Sequence, residues 1–144
     1  MIKIIAEIGI NHNGCIETTK KLIDVACVAG CDYVKFQKRE PELCVPEAQK
    51  NKLRDTPWGE MKYKHKIEFG KEEFDNIFSY AEQKGIGCFA SVWDKPSVDF
   101  MSEYTDITKV PSALITETEL CNSAREKNET LIISTGMSTE QEIQ

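Results

Sequence analysis

The sequence predicts an α/β fold in which parallel β-strands alternate with α-helices. Short apolar runs alternate along the chain with amphipathic stretches whose apolar residues recur at helical spacing. Each of the five predicted strands also ends in a polar or charged residue. Strands that alternate with helices pair in parallel through right-handed crossovers, so this pattern favours a parallel sheet covered by helices.

The first part of the chain predicts a strand, a helix and a second strand. Residues 2–8 form an apolar run, residues 16–29 place apolar side chains at helical spacing and end at Gly30, and residues 33–37 are again extended. This order is that of the unit from which parallel sheets are built.

Residues 39–70 have only a weak helical pattern, near residues 47–53, and predict a long loop. A loop of this length is unusual in an α/β unit and is typical of a segment that covers a site. Its middle carries turn-forming and large side chains, which either contact a ligand or pack the loop against the fold. These residues are Thr56, Pro57, Trp58, Gly59, Met61 and Tyr63.

The second part of the chain continues the alternation. It predicts a helix through Phe74 and Ala81 that stops at Gly85, a strand at 86–91, a short helix near Pro96, a strand at 107–110, a helix at about 117–127 and a strand at 131–134. Each helix therefore lies between two strands, as parallel pairing requires.

The last residues have the form of a helix start. Ser138 with Gln141, and Thr139 with Glu142, are each spaced as the two members of a capping box. Because little sequence follows, we expect the chain to be a fragment of a larger closed α/β structure whose open sheet edges are covered by further elements.

Composition excludes several classes of protein. The chain has 144 residues, a net charge of −6, and 40% apolar and 29% charged residues, which predicts one soluble globular domain. No apolar run is long enough to cross a bilayer and the N-terminus does not resemble a signal peptide, so we expect a cytoplasmic protein. The acidic balance gives no footprint for nucleic acid or for an anionic membrane.

Sequence motifs for other common chemistries are missing. No HExxH, P-loop, GxGxxG or serine nucleophile elbow occurs, and the six cysteines include no CxxC pair. We expect reduced, structural thiols, with Cys27 on the apolar face of a helix and Cys88 inside a strand. His12, in the loop after the first strand, is interpreted as a loop-ordering residue or else a ligand, and His65 as a surface residue.

The polar residues at the strand ends are the candidate functional residues. The carboxyl ends of parallel strands meet at one face, where α/β barrels place their chemistry. Lysines beside hydroxyls and helix N-termini can hold a phosphate or carboxylate, although any one polar strand end can also simply meet solvent. The candidates are Glu7, Lys35, Gln37, Ser91, Lys109, Ser112, Ser134 and Thr135, and Asp94 is a further polar residue that follows the third strand.

Two of these candidates are charged residues between apolar neighbours. Glu7 lies between Ala6 and Ile8, and Lys35 lies between Val34 and Phe36. A charge buried in such surroundings needs a partner, because desolvation without one is costly. An anionic ligand would supply that partner for the lysine.

At these residues the sequence resembles the N-terminal half of the sialic acid synthase family. The matching segments run in family order across essentially the whole chain and are highly specific when taken together. They are AEIGINHNG at 6–14, VKFQKR at 34–39, TPWGEMKY at 56–63, FASVWDKPSVDFM at 89–101, KVPSALIT at 109–116 and ISTGMST at 133–139.

The resemblance implies a TIM-type (β/α)8 barrel with its site at the C-terminal mouth, of which this sequence carries about five strands. It implies that members condense phosphoenolpyruvate with an N-acetylated amino sugar to form a nonulosonic acid, usually as homodimers. It also implies a following antifreeze-like domain, and we expect that domain and the second half of the barrel to be absent from these 144 residues.

The resemblance also implies roles for single residues. Lys35, Lys109, Ser112, Ser134 and Thr135 correspond to phosphoenolpyruvate ligands, and Ser91, at its own strand end, is predicted as a further substrate-binding residue. Glu7, the candidate catalytic residue, and Gln37 correspond to groups that meet the sugar, with Glu7 orienting a hydroxyl or assisting proton transfer.

The family's divalent metal, Mn²⁺ or Mg²⁺, polarises the sugar aldehyde for attack by C3 of phosphoenolpyruvate. Its histidine ligands belong to later strands, and neither His12 nor His65 matches them. We therefore expect no metal ligand in this chain, and we expect the chain alone to be inactive.

Two other interpretations remain open. Another phosphoenolpyruvate-dependent or phosphosugar-binding aldolase-like barrel would use the same lysines and hydroxyls. A half-barrel without catalysis, acting as a binding partner or surviving as a remnant, is the alternative from a different class. The sequence does not distinguish N-acetylmannosamine, its 6-phosphate, and the precursors of legionaminic or pseudaminic acid.

Overall fold

The computed structural model describes residues 2–52 and 59–144. In this part of the chain the strands are β1 Ile5–Gly9, β2 Tyr33–Lys38, β3 Gly87–Val92, β4 Ile107–Val110 and β5 Thr130–Ile133. The helices are α1 Ile16–Val28, α2 Pro41–Cys44, α3 Glu47–Lys50, α4 Gly59–Ile67, α5 Lys71–Lys84, α6 Lys95–Ser102, α7 Thr118–Lys127 and α8 Glu140–Ile143, with a 3-10 turn at Ser112–Leu114.

The strands form a parallel sheet in the order β1-β2-β3-β4-β5. Parallel neighbours that follow each other in sequence are what alternating strands and helices predict, and that prediction is confirmed. None of the helices in the described ranges is long and apolar enough to span a membrane. The chain divides into two compact units, one of Met1–Phe36 with Pro41–Cys88 and one of Gln37–Glu40 with Phe89–Gln144.

In the first unit, α1 and α5 pack against each other beside β1 and β2. Ile23 of α1 and Phe74 and Ile77 of α5 are fully buried. The phenol of Tyr80 donates to the carboxylate of Asp24 at 2.9 Å, which joins the two helices at their edge. Helix α5 ends at Gly85, whose φ of 71° is the left-handed conformation that glycine adopts without strain.

In the second unit, α6 and α7 pack against each other and against β4, and α7 also contacts β5. Val98 and Met101 of α6 and Ala124 of α7 are buried with Val92 and Val110 of the strands. Alternation along β4 buries Thr108 and Val110 almost completely and leaves Ile107 and Lys109 half-buried. This alternation, with a period of two, puts Lys109 on the face opposite the helix-packed side chains.

The prediction of a long loop over residues 39–70 is wrong in the described part of that segment. Helices α2, α3 and α4 occupy it. Their apolar residues are too sparse for a clear periodic pattern, yet Ile67 and the following Phe69 are buried. Gly59 begins α4, Met61 and Tyr63 lie half-buried within it, and Thr56, Pro57 and Trp58 lie outside the described residues.

Most other predicted elements are confirmed within one to three residues. The first strand begins at Ile5, because Ile2 and Ile4 are exposed and precede the pairing with β2. Of the two capping boxes that the sequence allows at its end, the structure has the one at Thr139, whose backbone N–H donates to the carboxylate of Glu142 at 2.7 Å.

Candidate functional site

In the first unit, Glu7 and Lys35 form an ion pair at the ends of β1 and β2. They occupy the same register position in the parallel pair, and Lys35 Nζ lies 2.8 Å from Glu7 Oε2. Lys35 Nζ also donates to the carbonyl of Phe36 at 3.3 Å. The partner that the sequence required for each charge is therefore the other member of the pair.

The two members of this pair differ in their exposure. The Lys35 side chain is 6% exposed, whereas the Glu7 side chain is 57% exposed. The expectation that Glu7 is a buried charge is therefore wrong: its neighbours Ala6 and Ile8 belong to the other face of β1, and the face that carries Glu7 is open to solvent at this strand. Lys35 is the buried charge, and Glu7 keeps contact with water.

In the second unit, five candidates lie at the ends of β3, β4 and β5. Ser91 and Lys109 occupy the same register position on β3 and β4, with Ser91 buried and Lys109 half-buried. The N–H of Ser134 donates to the carbonyl of Val110 at 3.1 Å, which ties the residue after β5 to the end of β4.

The remaining hydroxyl candidates follow β4 and β5. Ser112 begins the 3-10 turn after β4, and its side chain lies beside Gly136, where an added Cβ would be 3.6 Å from Ser112 Oγ. Ser134 is half-buried and Thr135 is exposed. The structure thus gathers Ser91, Lys109, Ser112, Ser134 and Thr135 at the carboxyl ends of three neighbouring strands.

Gln37 belongs to the second unit and is half-buried in β2. The residues after it are fixed by two contacts with the segment after β3, made by Trp93 and Asp94. The carbonyl of Lys38 accepts from the N–H of Trp93 at 3.2 Å. The carboxylate of Asp94 accepts from the N–H of Glu40 through Oδ2 and from the N–H of Ser97 through Oδ1, both at 2.7 Å.

Sequence reasoning missed two buried cations in this segment. Lys38 is buried, pairs with Glu40 at 3.1 Å and lies 5.1 Å from the centre of the Phe100 ring. Arg39 is also buried, with its guanidinium 5.6 Å from the Trp93 ring. Adjacent Lys and Arg at the end of a strand ordinarily indicate a solvent-exposed turn, so the sequence carried no signal for their burial.

His12 orders the loop after β1, as predicted. Its ring is buried and stacked on Phe69 at 4.2 Å, and its Nδ1 accepts from the N–H of Gly14 at 3.0 Å. Burial lowers the pKa of His12 to about 4. The hydrogen-bonding role is therefore confirmed, and the acceptor Nδ1 identifies a neutral imidazole.

His65 lies on the surface, which is the other histidine prediction confirmed by the structure. Its side chain is half exposed and its Nε2 lies 3.1 Å from Glu42 Oε1. This contact, followed by that of Lys50, lowers the pKa of the Glu42 carboxyl. The histidine thus contacts a surface cluster of polar and charged side chains on α2, α3 and α4.

The described residues do not offer a ligand set for a divalent metal. They contain no group of three or more His, Cys, Asp or Glu side chains placed to hold one ion. All six cysteines are free thiols. Cys88 is buried as predicted, and burial raises the pKa of its thiol.

A groove of about 420 Å³ lies between α6 and α7 in the second unit. Four of its five charged residues are paired with each other, since Lys95 lies 2.8 Å from Glu119 and Lys127 forms an ion pair with Asp99. None of the predicted site residues lines it. The groove is therefore a feature of the helical layer, separate from the strand ends.

The chain matches a family model and curated proteins over most of its length. The model of the NeuB family matches residues 22–144. The N-acetylneuraminate-9-phosphate synthase of Drosophila melanogaster is 36% identical over 99% of this chain and 40% of its own length. The N,N'-diacetyllegionaminic acid synthase of Campylobacter jejuni is 33% identical over 98% of this chain and 44% of its own length.

A solved structure extends the likeness to the fold. The N-acetylneuraminic acid synthetase of Leptospira borgpetersenii, crystallised with citrate, aligns with a TM-score of 0.86 and 28% identity over 99% of this chain and 47% of its own. The predicted TIM-type barrel class is confirmed by this neighbour. The chain spans about 40% of the length of the curated relatives that it matches, and it belongs to the NeuB family of sialic acid synthases.

Proposed function

We propose that this chain forms the donor-binding part of an enzyme that condenses phosphoenolpyruvate with an N-acetylated amino sugar to form a nonulosonic acid. The observation that carries the proposal is the gathering of Lys109 with four hydroxyl side chains at the carboxyl ends of β3, β4 and β5. Family membership supplies the reaction class, and the strand ends supply the matching chemistry.

The side chains gathered at the carboxyl ends of β3, β4 and β5 are suited to binding an anion with several oxygens. The ammonium of Lys109 supplies a positive charge, and the hydroxyls of Ser112 and Ser134 can donate to oxygens of a phosphate or carboxylate. The exposed hydroxyl of Thr135 and the buried hydroxyl of Ser91 extend the set on either side. We assign these side chains to phosphoenolpyruvate.

In the first unit we assign Lys35 to phosphoenolpyruvate and Glu7 to the sugar. Lys35 is buried and holds one carboxylate oxygen of Glu7 at 2.8 Å, so the position of that carboxylate is fixed while most of its side chain faces solvent. A fixed and accessible carboxylate can orient a sugar hydroxyl or accept a proton from it. Gln37, on β2, is assigned to the sugar as well.

The proposed reaction forms one carbon–carbon bond and releases phosphate. C3 of phosphoenolpyruvate attacks the aldehyde carbon of the open-chain sugar, water adds at C2, and the phosphate leaves from that carbon. The divalent metal that the resemblance implies is assigned to none of the described residues, because they form no ligand set for it. We further propose a cytoplasmic protein that dimerises in its full-length form.

Titration of the chain with phosphoenolpyruvate tests the donor site. We expect binding by the wild-type chain and a dissociation constant raised about tenfold or more in Lys109→Ala and in Lys35→Ala, because each loses a charged hydrogen-bond donor. Lys71→Ala is the matched control, since Lys71 is an exposed lysine paired with Asp75 on α5. A wild-type chain that binds no phosphoenolpyruvate, or a Lys109→Ala variant with wild-type affinity, would contradict the proposal.

Turnover separates this proposal from a non-catalytic half-barrel. We expect the chain alone to bind phosphoenolpyruvate without consuming it in the presence of N-acetylmannosamine and Mn²⁺. We expect a version extended through further βα units to consume both substrates in a metal-dependent way. An extended version that binds phosphoenolpyruvate but forms no condensation product would favour the non-catalytic alternative.

A further inference from the structure

We propose that Asp94 is a positioning residue that fixes the backbone after Gln37 for contact with the acceptor sugar. This inference rests on the proposed function, which assigns Gln37 to the sugar. Its basis is that the two carboxylate oxygens of Asp94 accept hydrogen bonds from two different segments, Oδ2 from the N–H of Glu40 and Oδ1 from the N–H of Ser97, both at 2.7 Å.

The bond to Ser97 is an ordinary helix cap. Asp94 is the N-cap of α6 with extended backbone angles, and Pro96 follows inside the first turn. Serine, threonine or asparagine in this place would cap the helix as well. Capping alone therefore does not require an aspartate.

The bond to Glu40 is the one that needs the second oxygen. Glu40 lies 54 positions earlier in the sequence, immediately after β2, and its N–H meets Oδ2 while Oδ1 serves the cap. An asparagine has one acceptor oxygen, and its amide nitrogen cannot accept from an N–H. Among similarly sized side chains, only a carboxylate can hold both segments at once.

The segment between Gln37 and Glu40 makes two further contacts, one with the residue before Asp94 and one between its own side chains. The carbonyl of Lys38 accepts from the N–H of Trp93 at 3.2 Å, and Lys38 Nζ reaches the Glu40 carboxylate at 3.1 Å. Gln37 directly precedes this clamped segment. Because the Asp94 oxygens accept from the backbone of the segment that follows Gln37 and from the start of α6, we assign Asp94 a role in positioning Gln37.

The test compares Asp94→Asn with a matched control, Asp32→Asn. Asp32 also accepts from a backbone N–H through one oxygen, that of Ile4 at 2.8 Å, and from Lys3 through the other, but it precedes β2. Each variant replaces a carboxylate that bridges two donors by an isosteric amide. A loss due to stability alone would appear in both variants.

Two measurements read the effect of these variants. In Asp94→Asn we expect amide hydrogen exchange at Glu40 to be about tenfold faster while Ser97 stays protected, because asparagine still caps α6. We expect titration with N-acetylmannosamine, in the presence of saturating phosphoenolpyruvate, to give a dissociation constant raised about tenfold, with phosphoenolpyruvate affinity within about twofold of the wild type. Asp32→Asn should bind both ligands as the wild type does.

The outcomes separate this inference from the proposed function. Unchanged exchange at Glu40, or wild-type sugar affinity in Asp94→Asn, overturns the role of Asp94 while the donor site stands. A wild-type chain that binds phosphoenolpyruvate but no sugar also overturns it. A wild-type chain that binds neither ligand refutes the proposed function itself, and the inference that rests on it falls too.

Discussion

Acidification below pH 6.5 is expected to destabilise the first unit through His12. The imidazole is buried against Phe69, and its Nδ1 accepts a hydrogen bond that only the neutral ring can accept. Burial lowers its pKa from 6.5 to about 4 in the folded chain. In the unfolded chain the ring is free to take up a proton near pH 6.5.

The magnitude follows from the difference between these two pKa values. Below pH 6.5 the unfolded state binds more protons than the folded state, so the free energy of unfolding falls as the pH falls. The contribution of His12 is complete above pH 6.5 and is lost progressively down to about pH 4. The loss is about 1.4 kcal/mol at pH 5.5 and about 3 kcal/mol in full.

Nuclear magnetic resonance of the histidine rings measures the pKa of His12 in the folded chain directly. At pH 5.5 a ring with an ordinary pKa is about nine-tenths protonated, whereas His12 should still be neutral. Urea unfolding at several pH values should show that the wild type has a higher free energy of unfolding than His12→Gln, and that this difference shrinks on acidification. His65→Gln, which keeps His12, should lose stability on acidification as the wild type does. A His12 ring that titrates near pH 6.5 in the folded chain would refute the reasoning.

Two further predictions concern the free energy of unfolding, read from urea denaturation. Gly14→Ala should lower it by about 3 kcal/mol or more, because Gly14 has a φ of +72° and an added Cβ would lie 2.0 Å from the Lys66 carbonyl oxygen. Gly85→Ala should lower it by only about 1–2 kcal/mol, because Gly85 has a similar φ of +71° but no atom within 4 Å of an added Cβ. Equal losses would contradict the clash. Thr108→Val should raise the free energy of unfolding by about 1 kcal/mol, because the buried Thr108 hydroxyl has no hydrogen-bond partner among the described residues; a marked loss would show that the hydroxyl is satisfied.

Elements with strong local signals could be predicted from the sequence. Strand β4 has the predicted bounds, and α5 ends at Gly85, as its apolar stripe and the glycine indicate. Apolar periodicity and a left-handed glycine act within a few residues, so the sequence alone reports them. The lysines and hydroxyls at the strand ends were found for the same reason.

Features that depend on distant partners could not be predicted. The short helices α2 and α3 have too few residues for a periodic pattern to emerge. The burial of Lys38 and the double acceptance by Asp94 arise from segments more than 50 positions apart in sequence, which no local pattern records. The exposure of Glu7 depends on which face of β1 is covered by other elements. Its apolar neighbours in the sequence suggested that the carboxylate is buried.

The contact between Glu7 and Lys35 has a consequence for how an anion would enter. The Lys35 ammonium has three N–H donors and already meets the Glu7 carboxylate at 2.8 Å, so an incoming oxyanion would meet a cation that is already desolvated and paired. Because the Glu7 side chain stays mostly in solvent, a second oxygen on the ammonium would not bury that carboxylate. The same buried lysine would then hold the anion and the carboxylate side by side and set the spacing between them.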